Sequence, residues 1–223
     1  VEKVFRYLWE EVDKPACRHL LVAPFTLRQG MVDLMETEIG HAREGTIAGM
    51  ILKMNSLEDR SLMDHLYAAS QAGVHVNLIV RGLCCMRPGL PGLSDNVRGR
   101  SIVDRFLEHA RIYRFVNADS ARMYLSSADL MKRNMDRRVE VAFPVYDPDV
   151  REEMEQFLHF QLSDNTKARI LDPNQVNHYV GRRVGEPRVE AQEGFTEQPD
   201  VPGERGEQAH RGLDQGALAA ARG

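Results

Sequence analysis

Residues 48–81 read AGMILKMNSLEDRSLMDHLYAASQAGVHVNLIVR, and this stretch decides the fold. Ala48 to Met54 is an apolar run of the length of a buried strand. Asn55 or Ser56 is the expected cap of the helix that follows, in which Leu62, Met63, Leu66 and Ala69 recur on one face until Gly73 ends it. Val74 to Val80 is a second strand run. Strand, helix and strand with links this short imply a right-handed crossover between parallel neighbours of one sheet. Arg81 then falls at a carboxyl strand end, the edge beyond which open α/β sheets bind ligands, and is a candidate phosphate contact. Spacing alone gives equal weight to a surface arginine that merely closes a strand.

The pattern continues outward in both directions. Upstream, His19 to Ala23 is a short strand run closed by Pro24. Leu27, Met31, Leu34, Met35 and Ile39 share one face of a helix that stops at Gly45. Val4, Phe5, Leu8 and Trp9 mark the end of a helix within residues 1–17, read as the tail of a preceding element. Downstream, Gly82 to Arg100 is too rich in glycine and proline for regular structure, and reads as a long functional loop whose Arg87, Arg98 and Arg100 could line an anion pocket. Ser101 is expected to cap a short helix from Ile102 to Glu108 that delivers His109.

Ile112 to Val116 and Met123 to Ser126 read as strands around a turn at Asn117 to Ser120, and Val139 to Val145 as another. Asp147 and Pro148 open a helix with Val150, Met154, Phe157, Leu158 and Leu162 on one face, and Ala168 to Leu171 is the last strand. The expected fold is α/β, a mixed and mainly parallel sheet flanked by helices over residues 18–180. Residues 181–223 hold eight glycines and Phe195 as their one aromatic residue, and are expected to be disordered for want of apolar surface.

The bulk composition narrows the function classes. The chain has 223 residues, 43% of them hydrophobic, which suffices for one real core. No apolar run approaches the roughly 18 to 20 residues a membrane helix needs, and the first residues are not a signal sequence, so a cytoplasmic protein with at most peripheral membrane contact is expected. Three cysteines make no disulfide scaffold, and adjacent Cys84 and Cys85 lack metal-ligand spacing, so buried, reduced thiols are expected. The net charge of −4 is uneven, with twelve Lys or Arg against six Asp or Glu between Arg81 and Arg138. Eleven of those twelve are arginine, the residue favoured for planar, bidentate phosphate contacts.

Within that basic region, His109 to Glu140 reads HARIYRFVNADSARMYLSSADLMKRNMDRRVE. A histidine can act as a nucleophile towards phosphorus or as a proton donor to a leaving oxygen. Arg111, two residues on, would share its face in a strand and stabilise negative oxygens. Ser126, Ser127 and Asn134 offer neutral hydrogen bonds to phosphate, Arg138 a charged one, and Glu140 could orient a histidine through its second nitrogen. A lone histidine is more often structural, by about two to one, because motifs without context are weak.

The combination resembles the His-x-Lys…Gly-Ser-x-Asn…Glu arrangement of the phospholipase D-like superfamily, with His109-Ala-Arg111, Ser126-Ser127-Ala128-Asp129, Asn134 and Glu140 in the corresponding places. Arginine stands at 111 where that pattern has lysine, which points to a specialised branch. Longer strings resemble the polyphosphate kinase family: LLVAPFTLR at 20–28, ILKMNSL at 51–57, LYAASQAGV at 66–74, LIVRG at 78–82, RPGLPGLS at 87–94, SIVDRFLEHARIY at 101–113 and YLSSADLMKRNMDRRVEV at 124–141. Leu130, where that family usually has tryptophan, and the Gly-rich tail depart from it.

That resemblance implies the second of two phospholipase D-like catalytic domains. It implies an enzyme that moves the terminal phosphate of ATP reversibly onto inorganic polyphosphate through a phosphohistidine. Arg81 and His109 match the family's ATP-binding positions, with His109 also a candidate acid/base. Arg111, Ser127, Asn134 and Arg138 are candidate phosphate contacts. The phosphorylated histidine and the ligands of Mg2+ are expected in preceding domains of the same enzyme, with no metal site in this chain and no activity from it alone. ATP or ADP, polyphosphate, those missing N-terminal domains and a second copy of the enzyme are the expected partners, with no specific nucleic acid. Two other readings stay open: a homodimeric phosphodiesterase or nuclease sharing one site across a two-fold axis, and a non-catalytic polyanion-binding module.

Overall fold

The computed structural model describes residues 2–10 and 17–196. Its elements are α1 (Glu2–Glu10), β1 (Leu21–Ala23), α2 (Leu27–Arg43), β2 (Gly49–Met54), α3 (Arg60–Gln71), β3 (His75–Val80), β4 (Val97–Ile102), β5 (Ile112–Phe115), β6 (Arg122–Ser126), α4 (Lys132–Arg137), β7 (Glu140–Pro144), α5 (Pro148–Ser163), β8 (Ala168–Leu171) and α6 (Ala191–Thr196). The strands form one eight-stranded sheet in the order β1-β7-β6-β5-β2-β3-β4-β8. The sheet is mixed, as expected, but the emphasis on parallel pairing needs correction. Only β2 with β3 and β3 with β4 pair in parallel, and the other five pairings are antiparallel. The crossover rule reads only strands joined by helices, whereas β5, β6 and β7 follow one another through a hairpin and a short helical link.

Register places the chemistry on one edge. Met54 lies opposite Val80 in the parallel pair, Ile112 opposite Lys53 and Leu125, and Ser126 opposite Ala142. The carboxyl ends of β2, β3 and β6 and the amino ends of β5 and β7 therefore meet at the same end of the sheet.

Each face of the sheet is covered by helices, because side chains alternate across a strand. Leu27, Met31 and Met35 of α2 and Leu62 and Leu66 of α3 join Met50, Leu52, Leu78, Tyr113 and Phe115 in one core. Leu158 of α5 packs with Ile51, Ile79, Ile112 and Met123 on the opposite face. Burying a side chain such as Leu158 contributes roughly 1.5–3 kcal/mol. The α5 face is more polar than its apolar spacing implied: Val150 is exposed, while Glu155 and Gln161 are buried. Glu155 enters the interior because the Arg114 Nε of β5 donates to its Oε1 at 2.6 Å.

Several local expectations change. Asp59, not Asn55 or Ser56, caps α3 by accepting the Leu62 N–H at 3.1 Å, which leaves Asn55 for another use. The long loop from Gly82 ends early: Val97 to Ile102 is a strand, because pairing with β3 and β8 outweighs its Gly and Arg content. Gly99 is required there, since a Cβ would lie 2.8 Å from both Leu171 Cβ and Pro88 Cγ. No helix forms between Ile102 and His109, and the segment 103–111 is irregular.

The boundary drawn at residue 181 falls inside ordered structure. Glu190, Ala191 and Gln192 are buried, Asn165 binds the Pro187 carbonyl and the Val189 N–H, and Phe195 meets Phe157 edge-to-face. The few apolar residues of this stretch suffice because they dock on a surface already formed. The rest of the expected disordered tail, 197–223, lies outside the described residues. At the other end α1 confirms a helix, whose Phe5 and Trp9 are exposed. None of the three thiols is fully buried: Cys17 and Cys84 are half-buried and Cys85 is exposed. Burial pushes the Cys84 thiol up to about 11. Among the described residues no helix is long and apolar enough to cross a membrane.

Candidate phosphate-binding site

A continuous chain of hydrogen bonds runs along the site edge from Arg81 to His109. The Arg81 Nη2 donates to Asn55 Oδ1 at 2.6 Å. Asn55 in turn donates to Asp129 Oδ1 from its backbone N–H at 2.8 Å and from its side-chain amide at 3.3 Å. Arg111 closes on the same carboxylate, Nε to Oδ1 at 3.0 Å and Nη2 to Oδ2 at 3.1 Å. Its Nη1 donates to the His109 carbonyl at 3.1 Å. Asn55 occupies the first position after β2, Arg81 the first after β3, and Arg111 the last before β5, so the sheet register itself assembles the chain.

His109 is exposed, and both its ring nitrogens lie against the same guanidinium, Nδ1 3.4 Å from Arg111 Nη1 and Nε2 3.3 Å from Nη2. A guanidinium only donates and a neutral imidazole has one accepting nitrogen, so at most one of these contacts is a hydrogen bond. The rest is a flat cation against a flat ring. His109 and Arg111 precede β5 instead of sharing a strand face, yet Arg111 reaches back to bring them together.

Charge separates the two arginines. Arg111 is compensated by Asp129, which is held below the usual carboxylate range: burial would raise it, but Arg111 and the Asn55 N–H prevail. Arg81 meets a neutral amide and has no carboxylate partner among the described residues. Lys53, one residue before the end of β2, is buried and paired to Glu108 Oε2 at 3.1 Å. Burial pushes its ammonium down; Glu108 opposes this, while Arg81 and Arg111 are close enough to add to it. Gly82 completes the edge by donating to the Asn55 carbonyl at 2.8 Å, and a Cβ there would lie 2.9 Å from that oxygen.

Ser127, Asn134 and Glu140 form a second cluster, tied to the first by the turn at 126–130. Ser127 Oγ donates to Glu140 Oε2 and accepts the Val141 N–H, and Asn134 Nδ2 donates to Glu140 Oε1 at 2.8 Å. Arg138 Nη1 lies 3.9 Å from Glu140 Oε1 and is mostly exposed. Glu140 thus takes serine, amide and arginine partners and does not orient His109. Asn134 is buried, with its Oδ1 unpartnered, and Ser126 is spent on the Val141 carbonyl and the Ala128 N–H. Arg98 and Arg100 do not line an anion pocket: Arg98 binds the Asp95 carbonyl at 2.6 Å, and Arg100 the Asp164 carbonyl at 3.3 Å. Arg87 is exposed.

Sequence reasoning missed Asn55, Lys53 and Glu108. Asn55 shares the strand-end position of Arg81, and a lysine inside the apolar run MILKM signals a buried charge that needs a partner. The donors gathered here are cations and neutral amides, while Mg2+ takes oxygen ligands. Asp129 is already shared between Arg111 and Asn55, so these residues do not make a magnesium site. Among the described residues there is also no group of three or more His, Cys, Asp or Glu arranged to hold a metal ion.

Fold and site define an α/β domain with a candidate anion-binding edge, where Arg81, with no carboxylate partner among the described residues, is linked through Asn55, Asp129 and Arg111 to an exposed histidine. Residues 20–192 match the family described as polyphosphate kinase C-terminal domain 2, and the chain belongs to the polyphosphate kinase family. It is 46% identical over 177 residues to the polyphosphate kinase of Staphylococcus epidermidis, covering 79% of this chain and 24% of that protein. It is 43% identical over 182 residues to that of Escherichia coli K12, covering 82% and 26%. The crystal structure of polyphosphate kinase from Porphyromonas gingivalis superposes with a TM-score of 0.82 at 37% identity, over 96% of this chain and 31% of that one. The chain therefore spans about a quarter of the curated relatives it matches.

Proposed function

We propose that this domain forms the nucleotide-phosphate half of a split phosphoryl-transfer site, in an enzyme that reversibly moves the γ-phosphate of ATP onto inorganic polyphosphate. The observation that carries the reading is the chain Arg81–Asn55–Asp129–Arg111–His109, which ends in an exposed imidazole and in a cation without a carboxylate partner among the described residues. In the forward direction a histidine outside this chain attacks the γ-phosphorus. An N–P bond forms, the bond to the β,γ-bridging oxygen breaks, and ADP leaves with that electron pair. A terminal polyphosphate oxygen then takes the phosphoryl group and frees the histidine.

Arg81 neutralises charge on the nucleotide phosphates, where a fixed cation costs no reorganisation during reaction. His109 contacts the same phosphates and is placed to exchange a proton with the leaving oxygen. Arg111 holds His109 and is largely spent on Asp129. Arg138 is the exposed cation of the second cluster, while Ser127 and Asn134 contribute by fixing the 126–141 turn. Mg2+ is assigned to residues outside this chain.

The test is ATP-driven polyphosphate synthesis by the enzyme that contains this chain, with nucleotide affinity measured in parallel. Arg81→Ala and His109→Ala are each expected to weaken nucleotide binding. Unchanged binding in both would remove the site. Turnover by the chain alone would remove the split between domains.

A further inference from the structure

The segment that presents His109 is held by polar contacts from elsewhere in the fold. Residues 103–110 form neither helix nor strand, and Val103, Phe106 and Leu107 are 67%, 60% and 77% exposed, so apolar burial does little to fix them. Gln192, in the first turn of α6, grips the middle of this segment. Its Oε1 accepts the Phe106 N–H at 2.9 Å, and its Nε2 donates to the Phe106 carbonyl at 2.9 Å and to Glu108 Oε1 at 3.1 Å. One planar amide thus takes both backbone groups of one residue, as a paired strand would, and uses its remaining hydrogen on the residue next to His109.

The grip is braced from below. Gln161 of α5 donates to the same Glu108 oxygen at 3.1 Å, and Lys53 holds the other at 3.1 Å. Lys167 Nζ lies 2.9 Å from Asp104 Oδ1 at the start of the segment. Gln192 and Gln161 are buried, so water does not readily replace them.

We propose that Gln192 is a positioning residue for His109, acting through Phe106 and Glu108 to keep the imidazole against Arg111 and open to the ligand. The proposal rests on the reading of His109 as a nucleotide-phosphate contact. It gives the α6 helix a role in the site edge, although α6 contributes nothing that touches the ligand. Alanine at 192 would leave the Phe106 backbone to water. Glutamate would keep the acceptor for the Phe106 N–H but set a carboxylate against Glu108.

The experiment uses the enzyme that contains this chain in four forms: unaltered, Q192A, H109A and Q192A/H109A. ADP affinity is measured by calorimetry, kcat and KM by polyphosphate synthesis, and hydrogen exchange over 103–110 against exchange in β2 and β3. Q192A is expected to lower kcat/KM roughly ten- to hundredfold, the scale of a misplaced contact group. Exchange should quicken in 103–110 and stay slow in β2 and β3, and the H109A enzyme should lose nothing further when Q192A is added. An equal loss in the H109A background overturns the proposal, because Gln192 would then act on the fold at large. A weakened H109A beside an unaffected Q192A overturns only the clamp. An unaffected H109A overturns the assignment of His109 and the clamp with it. Should Q192A not fold, Q192E is read the same way, with the same loss expected and the same outcomes overturning it.

Discussion

Arg111 binds the Asp129 carboxylate through two hydrogen bonds of 3.0 and 3.1 Å, eighteen residues apart in sequence and across the turn that follows β6. This bidentate pair does two things at once. It neutralises the cation nearest His109, and through Asn55 it fixes the position of Arg81. Of these two arginines it is Arg81, two strands away, that has no carboxylate partner among the described residues. Four expected outcomes follow from the local physics.

Asp129 supplies an acid-labile part of the stability. Its carboxyl sits lower in the fold than in the unfolded chain, so its contribution is fully present above the ordinary value of 3.8 and is lost as pH falls through the lower folded value. Asp129→Asn should remove this contribution and leave Arg111 without its counter-charge, a loss of about 3 kcal/mol at neutral pH for a largely buried pair. Urea unfolding at pH 7 and pH 3 checks it: the gap between variant and parent should narrow at the lower pH.

Gly82→Ala should disturb the site through the backbone. The added carbon would stand 2.9 Å from the Asn55 carbonyl, which must move. We expect a loss of about 1–3 kcal/mol in stability, typical of overpacking, with nucleotide affinity falling as Asn55 shifts Arg81. Calorimetric titration with ADP, compared with Asn55→Ala, measures the second effect. Affinity equal to the parent would show that Asn55 does not hold Arg81.

Lys53 and Glu108 should show strong thermodynamic coupling. Lys53→Met keeps the stem's packing but leaves a half-buried carboxylate with only amide partners, and breaking such a pair costs up to about 3 kcal/mol. Adding Glu108→Gln removes the stranded charge and should recover about half of that loss. A double-mutant cycle by denaturant unfolding gives the interaction directly, and additive losses would refute the coupling.

Arg81→Lys should be a poor replacement. Lysine keeps the charge but not the fork by which Arg81 holds Asn55 with one nitrogen and, on the proposed function, a phosphate with others. Nucleotide affinity should fall by about tenfold, the equivalent of 1.4 kcal/mol, and Arg81→Ala should fall further while losing part of its salt dependence. Titrations at two ionic strengths distinguish the two variants.

Most elements could be read in the chain because their causes are local. The apolar runs at 48–54 and 74–80, the proline and aspartate that start α5 and the glycines at 45 and 73 each act within a few residues. The place of Arg81 was legible for the same reason, since the end of a strand can be located without knowing its partners. The strand at 97–102 was not, because its sequence is unremarkable and its stability comes from pairing on both sides with β3 and β8. Ser127 and Asn134 read as phosphate contacts and Glu140 as the orienter of a histidine, and no local pattern could say that the three would satisfy one another.

What the sequence by itself determined is the crossover unit, the basic edge and the polyphosphate kinase family signature, all carried by periodicity, composition and long strings of neighbours. Only the tertiary structure decided that Arg111 and not Arg81 takes a carboxylate partner among the described residues, what holds His109, and that residues 190–192 belong to the folded domain. Those outcomes depend on contacts between Asn55 and Asp129, Lys53 and Glu108, and Gln192 and Phe106, residues 55 to 86 positions apart. Hydrogen-bond partnership at such separations is set by sheet register and helix docking, which no local pattern encodes.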